Sequence, residues 1–189
     1  MARALIVVGD GFTDSEYTYA LDRCREEDIV VTVATLSGAD AIGEKGWRAK
    51  CSGWSTGGVL RIAQNHKYND KLSYNGPWDI LILPGGVKSI EKVRQDRDTL
   101  EIIKLHHQAG KIIASMCHSG QLMIESGLAR GRRISGYYSI ETDIINAGGE
   151  YVRDVVVDGN IVSAPHYDLN GKWMKAVLEA WRASDDYKA

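Results

Sequence analysis

The sequence predicts an α/β fold, a three-layer sandwich with helices on both faces of a mostly parallel sheet, and three observations carry that prediction. A strand, a helix and a second strand follow one another within the first 35 residues, the signature of a βαβ unit. The strand segments are short, apolar and rich in β-branched residues, as strands buried on both faces should be. In residues 111–123 (KIIASMCHSGQLM) one such strand runs into an abrupt turn and a helix start around a single cysteine, Cys117.

Residues 4–8 (ALIVV) are the first buried strand, and Gly9-Asp10-Gly11 is the turn after it. Thr13 or Asp14 caps the following helix, Glu16 lies in its first turn, and Tyr17, Ala20, Leu21 and Cys24 recur at helical spacing as its inner face. Residues 29–35 form the second strand. Between 37 and 76 the pattern loosens into an insertion of glycine, charge and scattered aromatics, for which a small hairpin, a short strand at 59–63 (VLRIA) and a return loop are expected. Burial under an irregular loop is the ordinary reason for its tryptophans, and a pocket or subunit contact is the alternative.

Regularity returns with the buried strand 78–83, which ends in Pro84-Gly85-Gly86, a turn that leaves backbone amides uncovered. A helix at 98–108 turns Leu100, Ile103 and Leu105 inward and stops at Gly110. After the Cys117 strand and its helix come a short strand near 128–135, a helix at 140–147 closed by Gly148-Gly149, and a β-hairpin at 155–163 with Asp-Gly at its turn. A last amphipathic helix at 171–183 carries Trp173, Val177, Leu178 and Trp181 inward.

The length fits one domain spanning 1–189. With 23 basic and 25 acidic residues the net charge is −2, so no cationic field invites nucleic acid or an anionic membrane, and small molecules or proteins are the expected partners. The cysteines Cys24, Cys51 and Cys117 are odd in number and form no C-x-x-C pair, which argues against a disulfide framework or structural zinc and fits a reducing cytoplasm. The opening apolar run is too short for a secretory signal, and no run has membrane length. A soluble protein is expected.

A cysteine at a strand-to-helix joint stands clear of the carboxyl edge of the sheet, where open α/β sheets bind ligands, and faces the positive end of a helix. That setting favours the thiolate, although a free cysteine is also a common small core residue. Ser115, Ser119 and Gly120 supply the small residues that a nucleophile elbow requires. His118 is either a pocket base or a helix-start residue that shapes the site. Gly86 and His118 can offer converging amides as an oxyanion hole, or the glycines can simply serve the turn. Glu16 is either an ordinary first-turn acid or, because the loop after the first strand shares that sheet edge, an acid within reach of the sulfur. His166, with Asp168 two positions on, is a second candidate base with an orienting acid, or part of a polar loop at a helix cap. His66, His106 and His107 read as surface residues.

Leu83-Pro84-Gly85-Gly86, Ala114-Ser115-Met116-Cys117-His118-Ser119-Gly120, Asp14-Ser15-Glu16, the segment 144–149 (IINAGG) and the segment 155–162 (VVVDGNIV) together resemble the ThiJ/PfpI superfamily, which includes the PfpI intracellular proteases and the parkinsonism-associated deglycase. The resemblance runs nearly end to end and is weakest from 37 to 63. It implies a flavodoxin-like fold related to class I glutamine amidotransferases, a dimer or higher homo-oligomer with the site near an interface, a Cys117 thiolate held by Glu16 and paired with His118, and oxyanion donors at Gly86 and His118. Members are described as proteases, glutathione-independent glyoxalases, deglycases, isocyanide hydratases and redox-responsive chaperones. Two departures stand out. The arginine that often follows the last hairpin is absent from Ser163-Ala164-Pro165-His166-Tyr167-Asp168, and His166 with Asp168 only loosely resembles the His-x-Glu of amidotransferases.

The expected function is therefore that of an enzyme needing no metal and no other cofactor, in which Cys117 attacks a small electrophile such as a 2-oxoaldehyde in the glyoxalase or deglycase manner. A cysteine peptidase or amidohydrolase acting on peptides is the second reading. A non-enzymatic redox sensor or chaperone using Cys117 oxidation is the third.

Overall fold

The computed structural model describes residues 2–65 and 78–184. β1 (Arg3–Val8), α1 (Asp14–Glu26) and β2 (Val30–Thr35) form the expected βαβ unit, with β1 and β2 parallel from Arg3 opposite Val30 to Val8 opposite Thr35. A hairpin of β3 (Ala41–Ile42) and β4 (Arg48–Ala49) follows, then β5 (Trp54–Ser55) and α2 (Thr56–Asn65). Next come β6 (Ile80–Leu83), α3 (Val87–Val93), α4 (Arg97–Gln108) and β7 (Ile112–Met116), the strand that leads into Cys117. The chain continues through α5 (Gly120–Glu125), β8 (Arg133–Ile134), α6 (Glu141–Asn146), β9 (Glu150–Tyr151), β10 (Val156–Asp158), β11 (Ile161–Ala164) and α7 (Asn170–Ala183).

Among the described residues the central sheet has seven strands in the order β10-β11-β7-β6-β1-β2-β5, of which only β10 runs antiparallel, through its hairpin with β11. Side chains alternate across the sheet and divide the core in two. Ala4, Ile6 and Val8 of β1 pack with Tyr17, Ala20 and Cys24 of α1 and with Trp173, Val177 and Trp181 of α7. Leu5 and Val7 face the other way, toward Ile90 and Val93 of α3, Ile102 and Ile103 of α4, Leu122 and Met123 of α5, and Ile144 of α6. Each large side chain taken from water in this way contributes about 1.5–3 kcal/mol. The three-layer α/β sandwich read from the sequence is the observed architecture. Among the described residues no helix is long and apolar enough to cross a membrane.

Several local expectations need correction. Residues 59–63, expected as a strand, lie inside α2. Val59 and Ala63, four apart, are both buried, and the helix packs against α4, so the tertiary surface overrides the β-branched composition. The short edge strand is instead β5, paired with β2. The inner face of α4 is Thr99, Ile102, Ile103 and His106, with Leu100 and Leu105 only half-buried. His106 is thus not a surface residue: its Nδ1 lies 3.1 Å from the Ile102 carbonyl oxygen, and burial pushes its pKa down to about 4, so it stays neutral. His107 is half-buried and hydrogen-bonded, as described below. Thr13 sits at the N-terminal boundary of α1 but makes no side-chain capping bond; Asp14 instead accepts from the Lys45 and Trp47 amides and ties the β3–β4 loop to α1. Asp158 pairs with Ile161, so the loop residues of the last hairpin are Gly159 and Asn160. His66 and the end of the return loop lie outside the described residues.

Candidate active site

Parallel strands end together, so the loops after β1, β6, β7 and β11 meet at one edge of the sheet. The loop after β7 turns hardest. Cys117 has φ 60°, in the left-handed region that costs a residue with a Cβ about 1–2 kcal/mol. Neighbouring bonds hold it there. The Met116 amide donates to Ser119 Oγ at 2.7 Å, the Ser119 hydroxyl donates to the Met116 carbonyl at 2.7 Å, and the Ser115 hydroxyl lies 2.9 Å from Ser119 Oγ. The Tyr137 amide donates to the Cys117 carbonyl at 3.0 Å. This is the elbow that the small residues around Cys117 predict.

Glu16 reaches the elbow from the first turn of α1 and is fully buried. Its Oε2 accepts from the Gly85 amide at 2.6 Å, while Oε1 is buried with no hydrogen-bond partner among the described residues. Burial raises its pKa to about 8, against the opposing pull of the Gly85 N–H and of Cys117. The turn after β6 must be glycine to allow this approach. A Cβ on Gly85 would sit 2.8 Å from Cys117 Cβ and 3.0 Å from Glu16 Oε2. Gly86, at φ 103°, would drive a Cβ to 2.4 Å from the Gly11 carbonyl oxygen.

Burial and the Glu16 carboxylate push the Cys117 thiol up, while the His118 and Gly86 amides hydrogen-bond toward the sulfur and pull it back. The balance turns on where Glu16 keeps its proton. With Glu16 ionised, a thiolate beside it is strongly opposed. With Glu16 protonated, that repulsion disappears and the two amides work against burial alone. The Gly86 and His118 amides both reach toward the Cys117 sulfur.

His118 Nδ1 lies 3.4 Å from Cys117 Sγ. Its ring stacks on Tyr137, with centroids 4.6 Å apart and planes 23° apart, and its Nε2 lies 3.5 Å from Ser139 Oγ. Burial lowers its pKa, which favours the neutral ring. His166 occupies a different place. Its Nδ1 lies 3.0 Å from Asp168 Oδ2 and accepts from the Asp168 amide at 3.3 Å, at the start of the short turn that leads into α7. Its ring approaches Tyr137, with centroids 6.0 Å apart. The fold thus gathers Cys117, Glu16, Gly86 and His118 at one point and sets His166 one ring away, beyond Tyr137. Sequence reasoning missed Tyr137 and Ser139. The only signal was a pair of tyrosines after a glycine between a short strand and a helix.

Among the described residues no group of three or more His, Cys, Asp or Glu side chains could hold a metal ion. Chemically the arrangement offers a sulfur nucleophile, an acid that holds its proton near neutrality, a neutral imidazole and two amide donors.

A family model described as the DJ-1/PfpI family matches residues 2–180. Deglycase TK1284 of Thermococcus kodakarensis is 33% identical over 181 residues, covering 95% of this chain and 99% of its own length. Deglycase PfpI of Pyrococcus furiosus is 32% identical over 178 residues, covering 94% and 98%. The crystal structure of Drosophila melanogaster DJ-1beta shares the fold, with a TM-score of 0.79 and 23% identity over 95% of this chain and 90% of that one.

Proposed function

We propose, for a chain that belongs to the DJ-1/PfpI family, a cysteine-dependent conversion of a small 2-oxoaldehyde in the glyoxalase or deglycase manner. One observation carries it: Cys117 Sγ lies 3.4 Å from His118 Nδ1 beside the buried Glu16 carboxyl, whose pKa burial raises to about 8 while burial lowers that of His118, which sets an acid and a base at a single sulfur. The relatives named deglycases support an enzymatic reading.

The Cys117 thiolate attacks the aldehyde carbon. A C–S bond forms, the carbonyl π electrons move to oxygen, and the Gly86 and His118 amides hold that oxygen until Glu16 delivers a proton to it. Neutral His118 then removes the hydrogen from the same carbon of the hemithioacetal as a proton, giving an enediolate. Return of that proton to the neighbouring carbon, with the hydroxyl proton of the first carbon passing to the oxygen of the second, leaves a 2-hydroxy thioester. Water hydrolyses the thioester, releasing the 2-hydroxy acid and restoring the thiol. The sum is aldehyde plus water to hydroxy acid, and every catalytic group in the scheme belongs to this chain.

Methylglyoxal with lactate as the measured product tests the reading. Wild type should form lactate and Cys117→Ala should not; equal rates for the two would overturn it. A peptidase would draw on the same Cys117–His118 contact but benefits from an acid behind the imidazole, whereas His118 Nε2 faces the Ser139 hydroxyl.

A further inference from the structure

We propose that Tyr137, Tyr138, His166 and Tyr167 form an aromatic wall beside Cys117 that recognises an aryl group on the electrophile. Aryl 2-oxoaldehydes are then preferred over methylglyoxal, a refinement that rests on the function proposed above. The wall starts at the nucleophile. The Tyr137 amide is bonded to the Cys117 carbonyl at 3.0 Å, and the Tyr137 ring stacks on His118, whose Nδ1 is 3.4 Å from the sulfur. From there the rings continue outward. Tyr137 meets Tyr138 with centroids 5.5 Å apart, Tyr138 and His166 are stacked at 6.3 Å and 22°, and His166 meets Tyr167 at 3.8 Å.

Tyr137 packs against the core, but core packing does not explain the outer rings, because Tyr138 is 48% and Tyr167 43% exposed. They are nevertheless held in place, since His166 Nδ1 accepts from the Asp168 amide and its ring shares contacts with the three tyrosines. The Tyr137–Tyr138 and Tyr138–His166 pairs lie at separations typical of tilted and offset-stacked aromatic pairs, and such a series presents faces and edges that a further ring complements. Their order before binding reduces the entropy lost when a guest docks. A methyl substituent has too little surface to exploit the wall. A phenyl group has a face and edges that the wall complements.

Alkylation of Cys117 tests recognition apart from turnover. Iodoacetamide and iodoacetanilide both lose iodide to the thiolate, and only the second carries a phenyl ring. The rate ratio at Cys117, read by mass spectrometry and normalised to free cysteine, should favour the aryl reagent about tenfold in wild type. It should fall to near unity in Tyr138→Ala/Tyr167→Ala and persist in Tyr138→Phe/Tyr167→Phe. Phenylglyoxal should exceed methylglyoxal in kcat/KM by a similar factor. A wild-type alkylation ratio of one overturns the proposal, as does a double-alanine variant that keeps the aryl preference or changes the sedimentation coefficient in its place, which would make the wall a contact between copies of this chain. An aryl preference in alkylation with neither aldehyde turned over would support aromatic recognition and overturn the 2-oxoaldehyde reading alone.

Discussion

The two edges of one sheet bury similar residues and treat them differently. At the amino edge, Asp79 accepts from the Arg3 amide at 2.9 Å and pairs with Lys111 at 3.4 Å. Beside them, Asp158 takes Arg132 Nη1 at 3.2 Å and the Arg133 amide at 2.9 Å. His107 Nε2 meets Arg132 Nη2 at 3.0 Å; because arginine can only donate, that nitrogen accepts, and Nδ1–H therefore donates to Asn160 Oδ1 at 2.8 Å. The other end of the Asn160 amide donates to the Lys111 carbonyl at 2.6 Å. The side chains of this cluster bond one another in a connected network. The carboxyl edge also holds a carboxyl and a histidine, yet Glu16 Oε1 has no hydrogen-bond partner among the described residues and Cys117 sits at φ 60°. A closed network stabilises the fold. Groups left unsatisfied and strained at a sheet edge are available to a substrate.

Substitutions at the carboxyl edge should therefore alter activity out of proportion to stability, and those at the amino edge the reverse. The largest effect belongs to Cys117. Replacing it with alanine should lower turnover at least about 1,000-fold, and Cys117→Gly should be more stable than Cys117→Ala by about 1 kcal/mol, because glycine takes the left-handed conformation freely. Equal stability of the two variants in urea would remove strain from the contrast. Gly85→Ala comes next. Its Cβ would displace Cys117 and Glu16, and a misplacement of that kind should slow turnover about 100-fold in steady-state assays.

Glu16→Gln should reverse the usual sign for a substitution of a buried group. Burial moves the Glu16 pKa from 4.5 to about 8, so the folded chain binds that proton more tightly than the unfolded one. Stability contributed by this group is complete below pH 4.5 and is lost as pH rises toward about 8. Glutamine removes that loss, and the variant should exceed wild type by about 2–4 kcal/mol above that range, measured as urea midpoints across pH. The smallest effect belongs to the amino edge. Asn160→Ala breaks bonds to His107 and to the Lys111 carbonyl and should lower stability by about 1–2 kcal/mol with turnover unchanged. A changed turnover would show that the two edges are coupled.

The carboxyl-edge residues differ in how well the sequence announces them. Cys117 and the glycines at 85 and 86 stand where short β-branched runs end, a local pattern that fixes their place at the sheet edge. Glu16 follows once the first strand is known to be parallel to the Cys117 strand. The direction of the His118 ring is a rotamer choice that no spacing encodes, and its contact with the sulfur emerges only with Tyr137 packed against it. His106 misleads for the opposite reason: a polar residue on a helix can be buried when it bonds a carbonyl four residues back. Residues 59–63 mislead because Gly57 and Gly58 weaken the helical signal just before them, while packing of α2 on α4 supplies what local propensity lacks. The seven-residue α3 was too short to show a period.

The pH profile of Cys117 alkylation by iodoacetamide, in wild type and in Glu16→Gln, tests the shared proton most directly. A thiol and a carboxyl that hold one proton between them titrate as a pair. Wild type should show two steps, one for each macroscopic ionisation of the pair, and Glu16→Gln should show a single step. One step at the same midpoint in both proteins would mean that Glu16 does not exchange a proton with Cys117, and the acid–base pair at the carboxyl edge would have to be abandoned.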